Sequence, residues 1–292
     1  ARLLEGVAAG VLQPLPVIVV TRRFDSRHHG TAMGFFTLGV VLAPAIAPGL
    51  AGLLVDHVGW RAVPLAAPPF ALLAAVVAGR LSTSTAPTAG LFAGLRLPLL
   101  AQPAFLRACG VAFCYGVAMF ASAYLVPVFV QLGLGRSASA AGAIMLPAGV
   151  ALASASPFGG RAADRWPRGH VIAVGMLVIA LSHGLLLALD AGSALLALAA
   201  LMITARLGMA LVLPSLSLGA LAGLPAADWP AGSTLVSLAR QLGAMLGVAG
   251  GALFLHWRLE ALPVLAAFHQ TFVLVVFVCL AGALAAWRTT RA

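Results

Sequence analysis

Nine apolar runs, each long enough to cross a lipid bilayer, follow one another along this chain, joined by short turns except at residues 80–104. They lie at roughly 3–20, 31–55, 62–79, 105–130, 138–158, 170–189, 193–214, 231–255 and 265–287. A helical crossing needs about 20 apolar residues, because the hydrocarbon core is about 30 Å thick. The sequence therefore predicts an all-α, polytopic transmembrane helix bundle. With 62% hydrophobic and only 8% charged residues over 292 positions, a soluble domain is excluded.

All 17 basic residues are arginine, against 7 acidic ones, for a net charge of +10. That excess could mark a nucleic-acid binder, but its placement argues otherwise. Arg22, Arg23, Arg27, Arg80, Arg96, Arg107, Arg161, Arg165, Arg168, Arg288 and Arg291 fall on alternate turns, whereas the other turns hold only Arg61, Arg136 and Arg258. Arginine concentrates on the cytoplasmic side of membrane proteins. The expected topology places residue 1 towards the outer face and the C-terminus in the cytoplasm, and no nucleic-acid partner is expected. The turn near 215–230 carries no arginine and adds nothing. Ala1 lies inside an apolar run and no Met opens the chain, so an N-terminal portion is expected to be missing.

Residues 80–104 stand apart. STSTAPTAG is small and polar, and LFAGLRLPLLAQP is apolar but too short and broken to span. They read as a cytoplasmic linker between residues 1–79, with three spans, and residues 105–292, with six. An internal repeat supports this division. At an offset of 204 positions Arg2 falls on Arg206, and Gly39, Ala43 and Ala47 fall on Gly243, Gly247 and Gly251. Duplicated halves are a common plan for transporters.

The stretch Gly39–Arg61 combines two patterns. Gly39, Ala43, Ala47 and Ala51 recur every four residues, giving a stripe that lets a neighbouring backbone approach. Pro44 and Pro48 each remove a backbone donor and bend the helix. Three arginines, Arg2, Arg206 and Arg240, fall within spans, where such charges are costly and face a partner or cavity. Glu5 lies on the same helical face as Arg2, and its charge state is tunable by pairing and desolvation. Arg2, Glu5 and Arg240 are therefore candidates for proton coupling. The alternatives are a structural ion pair and guanidinium groups that reach the interface.

Gly160–Arg168 reads GRAADRWPR, a tight cytoplasmic loop in which Asp164 is expected to cap a following turn or to pair with neighbouring arginines. Gly160, Asp164, Arg165 and Arg168 are candidates for a gating cluster. His28 and His29 are expected to be solvated. Tyr115, Met119, Tyr124 and Phe129 are candidate cavity residues that would suit amphipathic cations or lipophilic compounds, with core packing as the alternative. Cys109, Cys114 and Cys279 are expected to be small buried side chains. No catalytic triad, phosphate loop, metal cluster or cofactor motif is present in the sequence, so neither an enzyme nor a cofactor is expected.

These motifs resemble the drug:proton antiporter branch of the major facilitator superfamily, of the EmrB/QacA type. Arg2-Leu-Leu-Glu5-Gly6-Val-Ala-Ala-Gly10 is similar to that family's fourth-helix motif, with Glu5 where Gln is usual. Gly39–Gly52 is similar to the fifth-helix antiporter motif through Gly39, Pro44, Pro48, Gly49 and Gly52, with alanine at positions 43, 47 and 51. Trp60-Arg61 follows it as in the family. Gly160-xxx-Asp164-Arg165-x-Pro167-Arg168 is similar to the second-half copy of the loop motif, and Arg240-Gln241-Leu242-Gly243 to RQLG. The resemblance implies a major-facilitator fold with helices 4–12 of twelve present. It also implies proton-coupled efflux of small amphipathic drugs or metabolites by alternating access, in a bacterial inner membrane and as a monomer. A non-transporting truncated relative or a membrane sensor is the other reading.

Overall fold

The computed structural model describes residues 20, 24–25, 28–39, 69, 71–73, 76, 79, 96–190 and 192–289. Within these residues every regular element is helical. A first helix, α1, occupies 29–39. Six long helices follow: α2 (Pro103–Val128), α3 (Ala138–Arg165), α4 (Arg168–Leu185), α5 (Leu195–Gly219), α6 (Trp229–Leu259) and α7 (Val264–Arg288). Each of α2 to α7 is long and apolar enough to cross a membrane.

Local chemistry sets the helix ends. Pro103 opens α2, where its missing N–H costs nothing. Ser137 caps α3 by accepting the Ala140 amide at 3.2 Å. Between them Pro127 withdraws a donor, and the backbone widens into one π-turn over Phe129–Gly133. Gly135 then reverses the chain at φ +62°, a left-handed conformation in which a side chain would be strained. Hydroxyls inside the spans bond to the carbonyl four residues back, as Ser122 does to Ala118 (2.6 Å), Ser156 to Leu152 (2.7 Å) and Thr271 to Ala267 (2.8 Å). In lipid no water would serve them.

The helices pair α2 with α6, α3 with α5, and α4 with both α5 and α7. The α2–α6 seam is built by glycine. A Cβ on Gly243 would sit 2.1 Å from the Phe113 carbonyl oxygen, and one on Gly116 would sit 2.1 Å from that of Arg240. Gly247 likewise lies against Val117, whereas Gly251 meets only the Leu125 side chain. The GxxxGxxxG stripe is thus a close backbone contact at two of its three glycines. Large apolar side chains point outward, as a lipid-facing surface requires: Leu196 is 80% exposed and Phe277 63%. The interior holds an aromatic cluster in which Phe129 meets Phe268 and Phe272 edge-on, at 5.3 and 5.4 Å.

One end of the bundle gathers the turns that the arginine count places together. Arg96, just before the short helical turn Leu97–Ala101, forms an ion pair with Asp228 at the start of α6. Arg168 donates to the Leu218 carbonyl at the end of α5 (3.5 Å). A cleft at this end is lined by Gln102, Phe105, Arg168, Ile172, Gly219 and Thr289. At the opposite end, His269 donates through Nε2–H to the Leu189 carbonyl (3.1 Å).

Candidate functional site

The site forms where the last turns of α3 meet the start of α1. Gly160-Arg-Ala-Ala-Asp164-Arg165 is helical, not the loop that its sequence suggests. Arginine and alanine favour the helix, and it ends only at Trp166, before Pro167. The continuing helix carries Asp164 one full turn beyond Gly160, towards α1.

There Asp164 accepts three hydrogen bonds. The Gly30 amide donates to Oδ1 (2.6 Å), while the Thr31 amide and the Thr31 hydroxyl both donate to Oδ2 (2.7 Å each). Gly30 and Thr31 supply first-turn amides of α1, which have no partners within their own helix. A carboxylate there meets the positive end of the helix dipole and forms charge-assisted bonds. The sequence suggested that Asp164 caps a following turn; the helix it caps lies instead far back in the chain.

Close backbone approach makes the contact possible. A Cβ on Gly160 would lie 2.1 Å from the Gly30 carbonyl oxygen, and one on Gly34 would lie 2.6 Å from the Ser156 carbonyl oxygen. Gly30-xxx-Gly34 on α1 and Gly160 on α3 thus form a seam of small residues. The neighbouring cations point elsewhere. Arg165 is exposed, Arg161 lies over the Phe158 ring at 5.4 Å, and half-buried Arg168 remains within electrostatic reach of Asp164. His28 is exposed as expected, but His29 is buried, and its Nε2–H donates to the Phe24 carbonyl (2.7 Å).

A second polar group lies inside the spans. Tyr115 on α2 is buried and within electrostatic reach of both Arg240 on α6 and Arg206 on α5. His183 on α4, fully buried, bonds Ser122 Oγ through Nε2 (2.6 Å) and the Ile179 carbonyl through Nδ1 (2.9 Å). Of the candidate cavity residues, Tyr115 and Phe129 are buried, while Met119 and Tyr124 are half-buried against the core. Tyr115 and Met119 share a face of α2, and Tyr124 lies about half a revolution away from Tyr115.

Gly39 ends α1, exposed, and a Cβ added there would meet no described atom within 4 Å. Arg2, Glu5, Pro44, Pro48, Gly49 and Gly52 lie outside the described residues. Cys109, Cys114 and Cys279 are free thiols, and no potential metal-binding cluster occurs among the described residues. Sequence reasoning missed Gly30, Thr31, Gly34, Ser122 and His183. The four-residue spacing of Gly30 and Gly34 carried a signal of the kind already used for residues 39–51. Ser122 and His183 carried none.

Comparison with known proteins agrees with this architecture. The family model described as Major Facilitator Superfamily matches residues 1–216. The lincomycin resistance protein LmrB of Listeria innocua is 22% identical over 304 aligned residues, covering 85% of this chain and 64% of that protein. The multidrug transporter protein MdtP of Bacillus subtilis is 26% identical over 274, covering 74% of this chain and 50% of that protein. The uncharacterized MFS-type transporter YhcA of Bacillus subtilis is 34% identical over 77, covering 26% of this chain and 14% of that protein. The chain thus spans 64% or less of the length of these relatives.

Proposed function

We propose that this chain, which belongs to the Major Facilitator Superfamily, works in a secondary transporter that exports small amphipathic compounds in exchange for protons. Membership makes it a multi-pass membrane protein of a transporter family. The names of relatives, a lincomycin resistance protein and a multidrug transporter, support efflux of drug-like molecules. The relatives are bacterial, which supports placement in a bacterial plasma membrane, and the arginine distribution supports a cytoplasmic C-terminus.

The observation that carries the reading is the bonding of Asp164 to the start of α1. With residues 1–79 as one half, 80–104 as linker and 105–292 as the other half, α1 and α3 belong to opposite halves. Alternating access requires a contact between halves that is made in one state and broken in another. Three hydrogen bonds to one carboxylate suit such a contact, because they are strong while water is excluded and water replaces them when the seam opens. Arg2, Glu5 and Arg240 are the proposed proton-coupling groups, and the working unit is a monomer.

Efflux in intact cells expressing the full-length protein tests the proposal. Asp164→Asn is expected to abolish proton-driven export while the protein remains in the membrane at normal level. Unchanged export in Asp164→Asn, or export indifferent to collapse of the proton gradient, would overturn it.

A further inference from the structure

A cleft of about 470 Å³ opens at the end of the bundle where α2 and α4 begin and α5 and α7 finish. Ligand pockets have volumes of roughly 300–1,000 Å³. Along α2 the lining runs from Gln102 through Ala108 to Val111, about 13 Å at 1.5 Å per residue. The mouth is polar, with Gln102 and Arg168 at the two helix starts, and the walls are apolar, with Phe105, Ile172 and Leu216 buried.

The charge in this cleft is positive. Arg168 is the one ionisable side chain in the described lining. It is half-buried, and among the described residues its guanidinium has one acceptor, the Leu218 carbonyl at 3.5 Å, which is long for such a bond. Asp164 is within electrostatic reach, but both its oxygens are bonded to Gly30 and Thr31. Arg107 adds a second positive charge beside Ala108, and its Nε is sheltered from solvent with no acceptor among the described residues. The positive ends of α2 and α4 also meet here, neither capped by a side chain. The opposing ends of α5 and α7 are engaged, at Leu218 by Arg168 and at Ala286 by the Thr289 hydroxyl (2.6 Å). Tryptophans mark the depth of the mouth independently. Trp166, exposed, precedes α4, and Trp287, exposed, lies two residues before Thr289. Trp229 opens α6, and its Nε1–H donates to the Leu224 carbonyl of the lining (3.0 Å). Tryptophan concentrates at the headgroup level of a bilayer, and basic pockets between spans there bind phosphate headgroups.

We propose that this cleft binds a phosphate group carrying an apolar tail, with the phosphate held by Arg168 at the mouth and the tail against Phe105, Ile172 and Leu216. A guanidinium presents five donors in a planar fork that matches phosphate oxygens. A phospholipid of the adjoining leaflet is the source that the tryptophans favour, and a soluble alkyl phosphate is the other. The inference needs only that this end of the bundle lie at the membrane surface, so it stands or falls without reference to transport.

The test titrates the full-length protein, held in amphipol, with two matched pairs of probes. One pair is dihexanoylphosphatidylglycerol and dihexanoylglycerol; the other is hexyl phosphate and hexanol. The phosphate-bearing member is expected to bind about tenfold or more tightly than its partner. Preference in the lipid pair assigns the site to a phospholipid, and preference confined to the hexyl pair assigns it to a soluble alkyl phosphate. Arg168→Gln is expected to remove the preference and Arg168→Lys to restore part of it. Ala108→Leu, which narrows the cleft without changing its charge, is expected to weaken the preferred probe about tenfold. If Arg168→Gln does not fold, the wild-type order and Ala108→Leu still decide. Equal binding within both pairs, an undiminished preference in Arg168→Gln, or undiminished binding in Ala108→Leu overturns the inference.

Discussion

The backbone amide of Gly30 donates a 2.6 Å hydrogen bond to Oδ1 of Asp164, 134 positions further along the chain. Thr31 completes the contact with its amide and its hydroxyl on the other carboxylate oxygen. One side chain therefore terminates a helix to which it has no sequence proximity, across a seam narrow enough to require glycine on both sides.

The strength of that contact is measurable. A double-mutant cycle of Asp164→Asn and Thr31→Val should return a coupling energy of about 1–3 kcal/mol, since the pair shares a charge-assisted hydrogen bond. Thermal melts of the two single variants and the double variant provide it. A coupling near zero would mean that the hydroxyl bond contributes nothing.

Steric closeness gives an independent handle on the same seam. Gly160→Ala places a methyl group 2.1 Å from the Gly30 carbonyl oxygen and cannot be accommodated without separating α1 from α3. Overpacking of this kind costs about 1–3 kcal/mol. We expect a lower melting temperature and faster cysteine labelling of residues introduced along the seam. Gly142→Ala, with no described atom within 4 Å of the added methyl, should behave as wild type.

Ser122 and His183 make a buried network whose protons can be counted. The carbonyls of Ile179 and Ala118 only accept, so a neutral His183 bonded to Ile179 keeps its proton on Nδ1. The single Ser122 hydroxyl proton is then divided between the Ala118 carbonyl and Nε2, both at 2.6 Å. Ser122→Ala strands Nε2 of the fully buried His183 and should lower stability by about 1–3 kcal/mol. Ser154→Ala, exposed and bonded only to its own helix, should cost little in the same melts.

The ion pair between Arg96 and Asp228 should matter far less. The Arg96 side chain is 61% exposed, so water and salt screen the attraction. Arg96→Ala is expected to change stability by about 1 kcal/mol or less. A drop comparable to that of Asp164→Asn in parallel melts would show that the linker is anchored more firmly than an exposed pair allows.

Membrane spans, their helical character and the close-packed stripe on α6 were legible because each rests on a local pattern. Lipid admits only backbones that satisfy themselves within the segment, so about twenty apolar residues in a row already dictate a helix. Gly243 and Gly247 recur at the helical repeat, so their contact face could be read directly, though not that it would meet Phe113 and Val117. The gathering of Arg96, Arg168 and Asp164 at one end follows the parity of turns that arginine counts reveal.

Tertiary structure alone decided the partners. A backbone amide looks alike at every residue, so nothing in the letters around Asp164 names Gly30 and Thr31 as its donors. The end of the apolar run suggested a loop at Gly160–Arg168, yet the helix continues to Arg165, and one added turn moves the carboxylate onto another helix. Ser122 and His183, 61 positions apart, are joined only because α2 and α4 both pack around α7. Periodicity and hydropathy act over a single segment and survive in the sequence. Which polar group finds which depends on how the segments pack, and packing is a property of all of them at once.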